Sequence, residues 1–563
     1  MTIVRCLFLL LSASQPLTAL AAPPARLVYT VSPVIEDGTV RALAVELEFR
    51  AGAVSETTLA LPTEWGGKDK LYEALSDFSV KGAGASISAN DKPEARTVHH
   101  RPNSRVRIRY LVHDAAGSKG ENAYRPVVLP QRVELLGETF AVAPADTKME
   151  QPVEVHFKGF PQRWAFASDL EHGHLDFNAL LQSITVAGDF RVLTRQIHGV
   201  PLRVAIQGQW PFQDDWLVEQ LAAISSAQYD FWKDRPQPYL VTFAQLEGGT
   251  SGAGTGLGDA FAMFATRDFS VHDLVRTLAH EMTHTWIPVR LGMMPEDQRS
   301  EALEYWLSEG FADYYAVRAL MQSRIWSAED FANGVNLALK RYAGSPARLA
   351  PNQQIGDGFW KDSNLQQLPY DRGFLFAVKV DQELRLANHG AVSLDDVVLV
   401  MRRHFDQEKT PIRQNFIAAM VAHGVDVKPE LSRLIDDGND IALDGNTFAP
   451  CGSIVSGDLP TFHRGFDVDA TMKNGMRITG VDPELPAWRA GLRDGMTLVR
   501  RDAGTIGDAT QEIAYRVMDQ GSERVIRYLP QGHGTVRFQS LQLRIGENLN
   551  TLADCRHRLG ATS

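Results

Sequence analysis

The sequence predicts a multidomain α+β protein: an antiparallel β domain, then a mainly helical domain, then a smaller β domain. Three observations predict it. Apolar and polar residues alternate from about residue 26 to 195, apolar residues recur at helical spacing from about 210 to 450, and short strands and turns resume from about 452. At 563 residues the chain is too long for one ordinary domain. With 44% apolar and 22% charged residues, wholesale disorder is excluded.

The first segment, 1–21, reads as a secretory signal peptide. Arg5 is the only charge before Arg26, the apolar run Cys6-Leu7-Phe8-Leu9-Leu10-Leu11 follows, and Ala19-Leu20-Ala21 fits an A-x-A cleavage site. Ser12, Ser14, Gln15, Pro16 and Thr18 interrupt the run, which makes it a poor membrane span. No later segment has the length of apolar sequence a transmembrane helix needs. The expected location is secreted or periplasmic. Two of the three cysteines then remain, Cys451 and Cys555. In an oxidising compartment an isolated pair is expected to bridge, and a bridge here would staple the C-terminal domain.

Residues 22–195 form the expected β domain. Alternation is visible in Ala42–Phe49, Val106–Val112 and Val153–Phe157, with turns at Asp37-Gly38 and Gly66-Gly67. No catalytic constellation is visible there.

Residues 196–450 carry the chemistry. With 57 Lys+Arg against 68 Asp+Glu, the net charge of −11 argues against a basic face for nucleic acid. With so few cysteines, any metal site must use His, Asp and Glu. His280-Glu281-Met282-Thr283-His284 is an H-E-x-x-H motif. On a helix, positions i and i+4 share a face, so the two histidines can hold one ion, with Glu281 beside a metal-bound water. Ser270 and Asp273 form a capping box ahead of the apolar stripe Val271, Leu274, Val275 and Leu278, and Pro288 marks an end. A third ligand is sought in the next helical segment, 301–321. Glu309 is favoured over Glu301, Glu304 and Asp313, because glycine follows it and permits close packing. Asp313, one turn on, is placed to accept the second ring N–H of a ligand histidine.

His280-Glu281-x-x-His284 together with Trp306-Leu307-Ser308-Glu309-Gly310-Phe311-Ala312-Asp313-Tyr314-Tyr315 resembles the gluzincin metallopeptidases, and more narrowly the M61 glycyl aminopeptidase-like family. The resemblance implies a thermolysin-like catalytic domain after a β domain. It also implies one zinc ion on His280, His284 and Glu309, Glu281 as base, and Asp313 behind the ligands. Pro369-Tyr370-Asp371-Arg372-Gly373 resembles the family's Y-x-x-G segment, which implies that Tyr370 donates to the tetrahedral intermediate. The glycine-rich run 248–258 departs from the pattern: Gly258 stands where an amine-binding glutamate is expected, with Asp259 as a substitute of uncertain register. That leaves aminopeptidase and broader peptidase action both open. The run is expected to be a loop, or an edge strand that pairs with an extended peptide.

In 451–563, Pro486-Ala487-Trp488-Arg489-Ala490-Gly491-Leu492 resembles the core of bacterial PDZ domains. That implies a carboxylate-binding loop at Gly465 and Phe466, a following strand, and a C-terminal peptide as ligand. The function expected is an exported zinc metallopeptidase acting on peptides or proteins. The alternative is a non-catalytic peptide-binding protein that works through its PDZ-like domain, and a zinc hydrolase of other amides is a third reading.

Overall fold

The computed structural model describes residues 26–82, 84–117, 124–171, 175–247, 252–544 and Cys555. The expected signal segment, and the start of the glycine-rich run at 248–251, lie outside the described residues. No helix among the described residues is long and apolar enough to cross a membrane.

The alternating N-terminal segment folds as two stacked sheets. A five-stranded sheet carries Leu27–Glu36, Thr39–Arg50, Leu75–Lys81, Arg105–Val112 and Val153–Phe157, and a four-stranded sheet built around Glu56–Ala60 and Ala95–His99 faces it. Inward residues such as Tyr29, Val45, Leu47, Ile108 and Tyr110 are fully buried between them, as a half-solvated sandwich requires; the sheet departs from the antiparallel expectation at one edge, where Val153–Phe157 runs parallel to Leu27–Glu36. A third sheet, around Arg132–Leu136 and Ile184–Gly188, turns one face toward the next domain.

That next domain does not begin with helices. It opens with a five-stranded sheet in the order Arg191–Ile197, Val200–Ile206, Tyr239–Leu246, Ala260–Thr266, Gly252–Leu257. The boundary expected at 195/196 therefore falls inside a hairpin, and the sheet itself was not expected. Its central strands are covered on both faces. Phe261, Met263 and Ala265 pack on helices, while Ala260, Ala262 and Phe264 pack on the third N-terminal sheet. Such strands read as unbroken apolar runs and show no alternation.

The helix Asp214–Trp232 connects two strands of that sheet, and helices follow at Val271–Thr283, Tyr305–Gln322, Ala328–Gly344, Ser363–Ala387, Leu394–Gln407 and Ile412–Ala422. The ribbon Gly452–Phe462 with Gln531–Leu543 lies on Ala328–Gly344. There the Asn336 amide donates to the Leu541 carbonyl and accepts from its N–H, at 3.0 and 2.6 Å. Cys451 and Cys555 are bridged, and both belong to the large core of the helical domain. The bridge thus fastens the returning chain to that domain and does not staple the C-terminal module, which has its own core around Phe466, Leu492, Ile513, Tyr515 and Val517.

The module departs from the PDZ-like expectation where a peptide would bind. Phe466 is 2% exposed and belongs to the module core. The Asp467 carboxylate accepts from the Ala470 N–H and starts the helix Val468–Lys473. The segment after Gly465 and Phe466 is therefore helical, and the strand to which a peptide would add is missing at that place.

Candidate metal centre

The motif helix Val271–Thr283 starts where Ser270 accepts from the Asp273 N–H, and it buries Leu274, Val275 and Leu278 against the sheet. His284 follows its last residue but keeps helical dihedrals, φ −62° and ψ −16°. The i, i+4 relation to His280 survives. The two Nε2 atoms stand 3.1 Å apart, and Glu309 Oε2 lies 3.2 Å from His280 Nε2 and 3.5 Å from His284 Nε2. Among the described residues these three form the His/Cys/Asp/Glu group whose ligand atoms converge as for a metal.

The spacing tests the fit to zinc. Donors about 2.0–2.1 Å from an ion at the centre of a tetrahedron stand about 3.3–3.4 Å apart. The three observed separations bracket that value. The far ring atoms agree, because His280 Nδ1 meets Asp313 Oδ1 at 3.0 Å and His284 Nδ1 meets the Ile287 carbonyl at 2.8 Å. Both contacts place the ring proton on Nδ1 and leave the Nε2 lone pairs facing Glu309. The donor set therefore suits zinc with one further position open.

Charge is balanced behind the ligands. Arg276 donates to Asp313 Oδ2 at 2.7 Å, and Arg341 lies 4.0 Å from the same oxygen. Burial works against ionisation of Asp313, but Arg276 and His280 outweigh it and hold its carboxyl well below the usual range. Burial also works against Glu309, and the two histidines bring it far down. Glu281, 7% exposed, is shifted the other way. Burial raises its pKa, with the histidines and the Gly256 N–H as partial offsets.

Glu309 reaches the centre on the helix Tyr305–Gln322. Tyr370 approaches from Ser363–Ala387, with its ring centroid 5.8 Å from that of His280 and its phenol close enough to feel the Glu309 charge. Tyr370 sits within that helix, which begins at Ser363 under an Asp362 cap and carries Pro369 inside it. Of the competing acids, Glu304 is taken by Arg413 at 3.0 Å. Glu301 is pushed up to about 7 by burial and lies outside the ligand group.

The described part of the glycine-rich run is an ordered edge strand, Gly252–Leu257, antiparallel to Ala260–Thr266. Gly254 and Gly256 are glycine because the strand lies against the motif helix there, while Gly252 faces Phe269 and Met263. A Cβ on Gly254 would come 2.4 Å from Glu281 Cγ, and one on Gly256 would come 2.5 Å from His284 Cβ. One backbone group of this strand is already engaged: the Gly254 carbonyl accepts from Tyr124 Oη at 2.8 Å. Gly258 occupies the hairpin turn at φ +59°. Asp259 does not stand in for the missing glutamate, because Arg290 holds its carboxylate at 2.6 Å.

Sequence reasoning missed Tyr124, Arg276 and Arg341. Tyr124 comes from the N-terminal domain, stacks edge-on against Phe264 and lies close enough to Glu281 and Glu309 to feel their charge. No local pattern marks a lone tyrosine that reaches across a domain boundary. The arginines carried a faint signal, since Arg276 sits one turn before His280 on the motif helix.

The donor set, its spacing and its open position suit a hydrolytic metal centre. Residues 273–358 match the model of the M61 glycyl aminopeptidase family, a stretch that includes His280, Glu281, His284, Glu309 and Asp313. This match supports a peptidase function. No curated protein sequence matches the chain. Among solved structures, an aminopeptidase N family protein from Idiomarina loihiensis is similar at 14% identity and TM-score 0.68, over 95% of this chain and 100% of that one. That likeness shows a shared fold. An M1 zinc metallopeptidase from Deinococcus radiodurans is similar at 16% identity and TM-score 0.44, over 74% of this chain and 94% of that one.

Proposed function

We propose that this protein is an exported zinc peptidase that hydrolyses peptide bonds of peptide or protein substrates. The observation that carries the reading is the inward-facing His280, His284 and Glu309 set, with both ring protons fixed on Nδ1 and Glu281 beside it. Zinc held by those three residues supplies a Lewis acid and a water acidified toward neutrality. Glu281 takes a proton from the attacking water and passes it to the leaving amine. Burial raises the Glu281 pKa, which suits a group that must give the proton back. Burial and the Glu309 and Glu281 charges keep the Tyr370 phenol protonated, so it can donate to the developing oxyanion. The N-terminal apolar run and the cysteine pair support a secreted or periplasmic location.

The test compares wild type and Glu281→Gln. The variant should keep one zinc per chain and lose about 10²–10⁴ in turnover. Wild-type turnover in that variant would overturn the reading. Paired free and N-blocked peptides separate aminopeptidase from broader action, since neither Gly258 nor Asp259 offers a free carboxylate.

A further inference from the structure

We propose that the C-terminal module is a positioning element of the metal centre, and that it acts through Arg341. This rests on the zinc-peptidase reading and extends it to a part of the chain outside the catalytic helices.

Arg341 lies near the end of the helix Ala328–Gly344 and joins two carboxylates. Its Nε and Nη2 donate to Asp371 Oδ1 at 2.8 and 2.5 Å, and Nη2 stands 4.0 Å from Asp313 Oδ2. Each carboxylate leads to the centre. Asp313 holds the His280 ring, and Asp371 is the chain neighbour of Tyr370. Arg276 completes a set of two cations and two carboxylates. Asp371 is 2% exposed, so without Arg341 its charge would be buried with no hydrogen-bonded cation, which is strongly unfavourable.

The C-terminal module closes over this arginine. Gly507 sits at φ +91° with its Cα pressed on the Arg341 stem, and a Cβ there would come 2.2 Å from Arg341 Cγ. Beside it, Asp508 pairs with Lys340 at 2.8 Å, and Asp508 is itself nearly buried. The turn 504–508 therefore sets the position of two consecutive basic side chains on a catalytic-domain helix. A shift of the module moves Arg341, and Arg341 can move only by loosening Asp313 and Asp371.

The experiment uses the full chain and four variants: Gly507→Ala, Gly521→Ala, Arg341→Ala and the double Gly507→Ala/Arg341→Ala. Gly521 is the control. It lies in the same module at φ +85° with nothing within 4 Å of a Cβ, so its substitution imposes backbone strain without touching Arg341. Zinc affinity is measured by chelator competition, and kcat and KM with one peptide. Gly507→Ala should weaken zinc binding about tenfold and lower kcat with little change in KM. Gly521→Ala should change neither. In the Arg341→Ala background, adding Gly507→Ala should have no further effect, the signature of two residues acting in series. Equal effects of Gly507→Ala and Gly521→Ala, or additive effects in the double variant, would overturn the proposal. If Gly507→Ala does not fold, Asp508→Asn breaks the Lys340 pair without steric insertion. It should then weaken zinc binding in the same direction, and unchanged affinity would overturn the proposal. Wild type that binds zinc without turnover refutes the peptidase reading alone, since the coupling is still read in zinc affinity.

Discussion

Gly310 and Gly373 cross in direct contact. A Cβ on Gly310 would come 2.4 Å from the Gly373 Cα, and one on Gly373 would come 1.9 Å from the Trp306 carbonyl oxygen. The helices Tyr305–Gln322 and Ser363–Ala387 can approach this closely only because both residues lack a side chain. That crossing brings Glu309, one residue from Gly310, beside Tyr370, three residues from Gly373. Gly373→Ala should force the helices apart against backbone, costing about 3 kcal/mol of stability and most of the turnover. Denaturant unfolding and kcat measure both, and a variant with wild-type stability would contradict the crossing.

The edge strand offers a paired test. Gly254→Ala presses on Glu281, while Gly256→Ala presses on His284. The first should lower kcat by about 10²-fold and leave zinc bound, because it disturbs the base and spares the ligands. The second should weaken zinc binding. Chelator competition beside turnover separates them, and identical behaviour of the two variants would count against the assigned roles.

Asp313 should matter to the metal before it matters to the fold. Asp313→Asn keeps the shape but removes the charge that faces His280 and Arg276. Zinc affinity should fall about 10–100-fold, the usual effect of losing a partner behind a ligand histidine. Affinity within twofold of wild type would show that the His280 ring needs no such support.

A stability change with pH should come from Glu138. Burial alone pushes its pKa up to about 7. A carboxyl raised in the folded state favours folding below its unfolded pKa, near 4, and that contribution is lost as pH rises through the folded value. Glu138→Gln should therefore raise stability at about pH 8, by up to about 3 kcal/mol, and change it little at about pH 4. Thermal melts at the two pH values check the sign, and a larger gain at the acid end would refute it.

The bridge between Cys451 and Cys555 spans 104 positions and ties the returning chain to the helical domain. Serine at both positions should cost about 2–4 kcal/mol. The loss should appear in the unfolding of the catalytic domain and not of the 466–528 module. Limited proteolysis of reduced and oxidised protein distinguishes the two.

The sequence by itself determined what depends on short spacing. His280 and His284 share a face because four residues nearly complete a helical turn. Glu309 and Asp313 do so for the same reason, and the alternation in Thr39–Arg50 and Arg105–Val112 marked half-buried strands. Only the tertiary structure decided what depends on a second element. The central strands Tyr239–Leu246 and Ala260–Thr266 hid in apolar runs because both of their faces are covered. The glycine-rich run reads equally as a loop or an edge strand, and only the motif helix packed against Gly254 and Gly256 explains why those residues are glycine. Glu304 and Glu309 differ in role because Arg413 claims one and the histidines face the other, and Phe466 lies in a core where a binding loop was expected. Periodicity is a local property of the chain, whereas the partner of a face, a charge or a close approach comes from residues far along it.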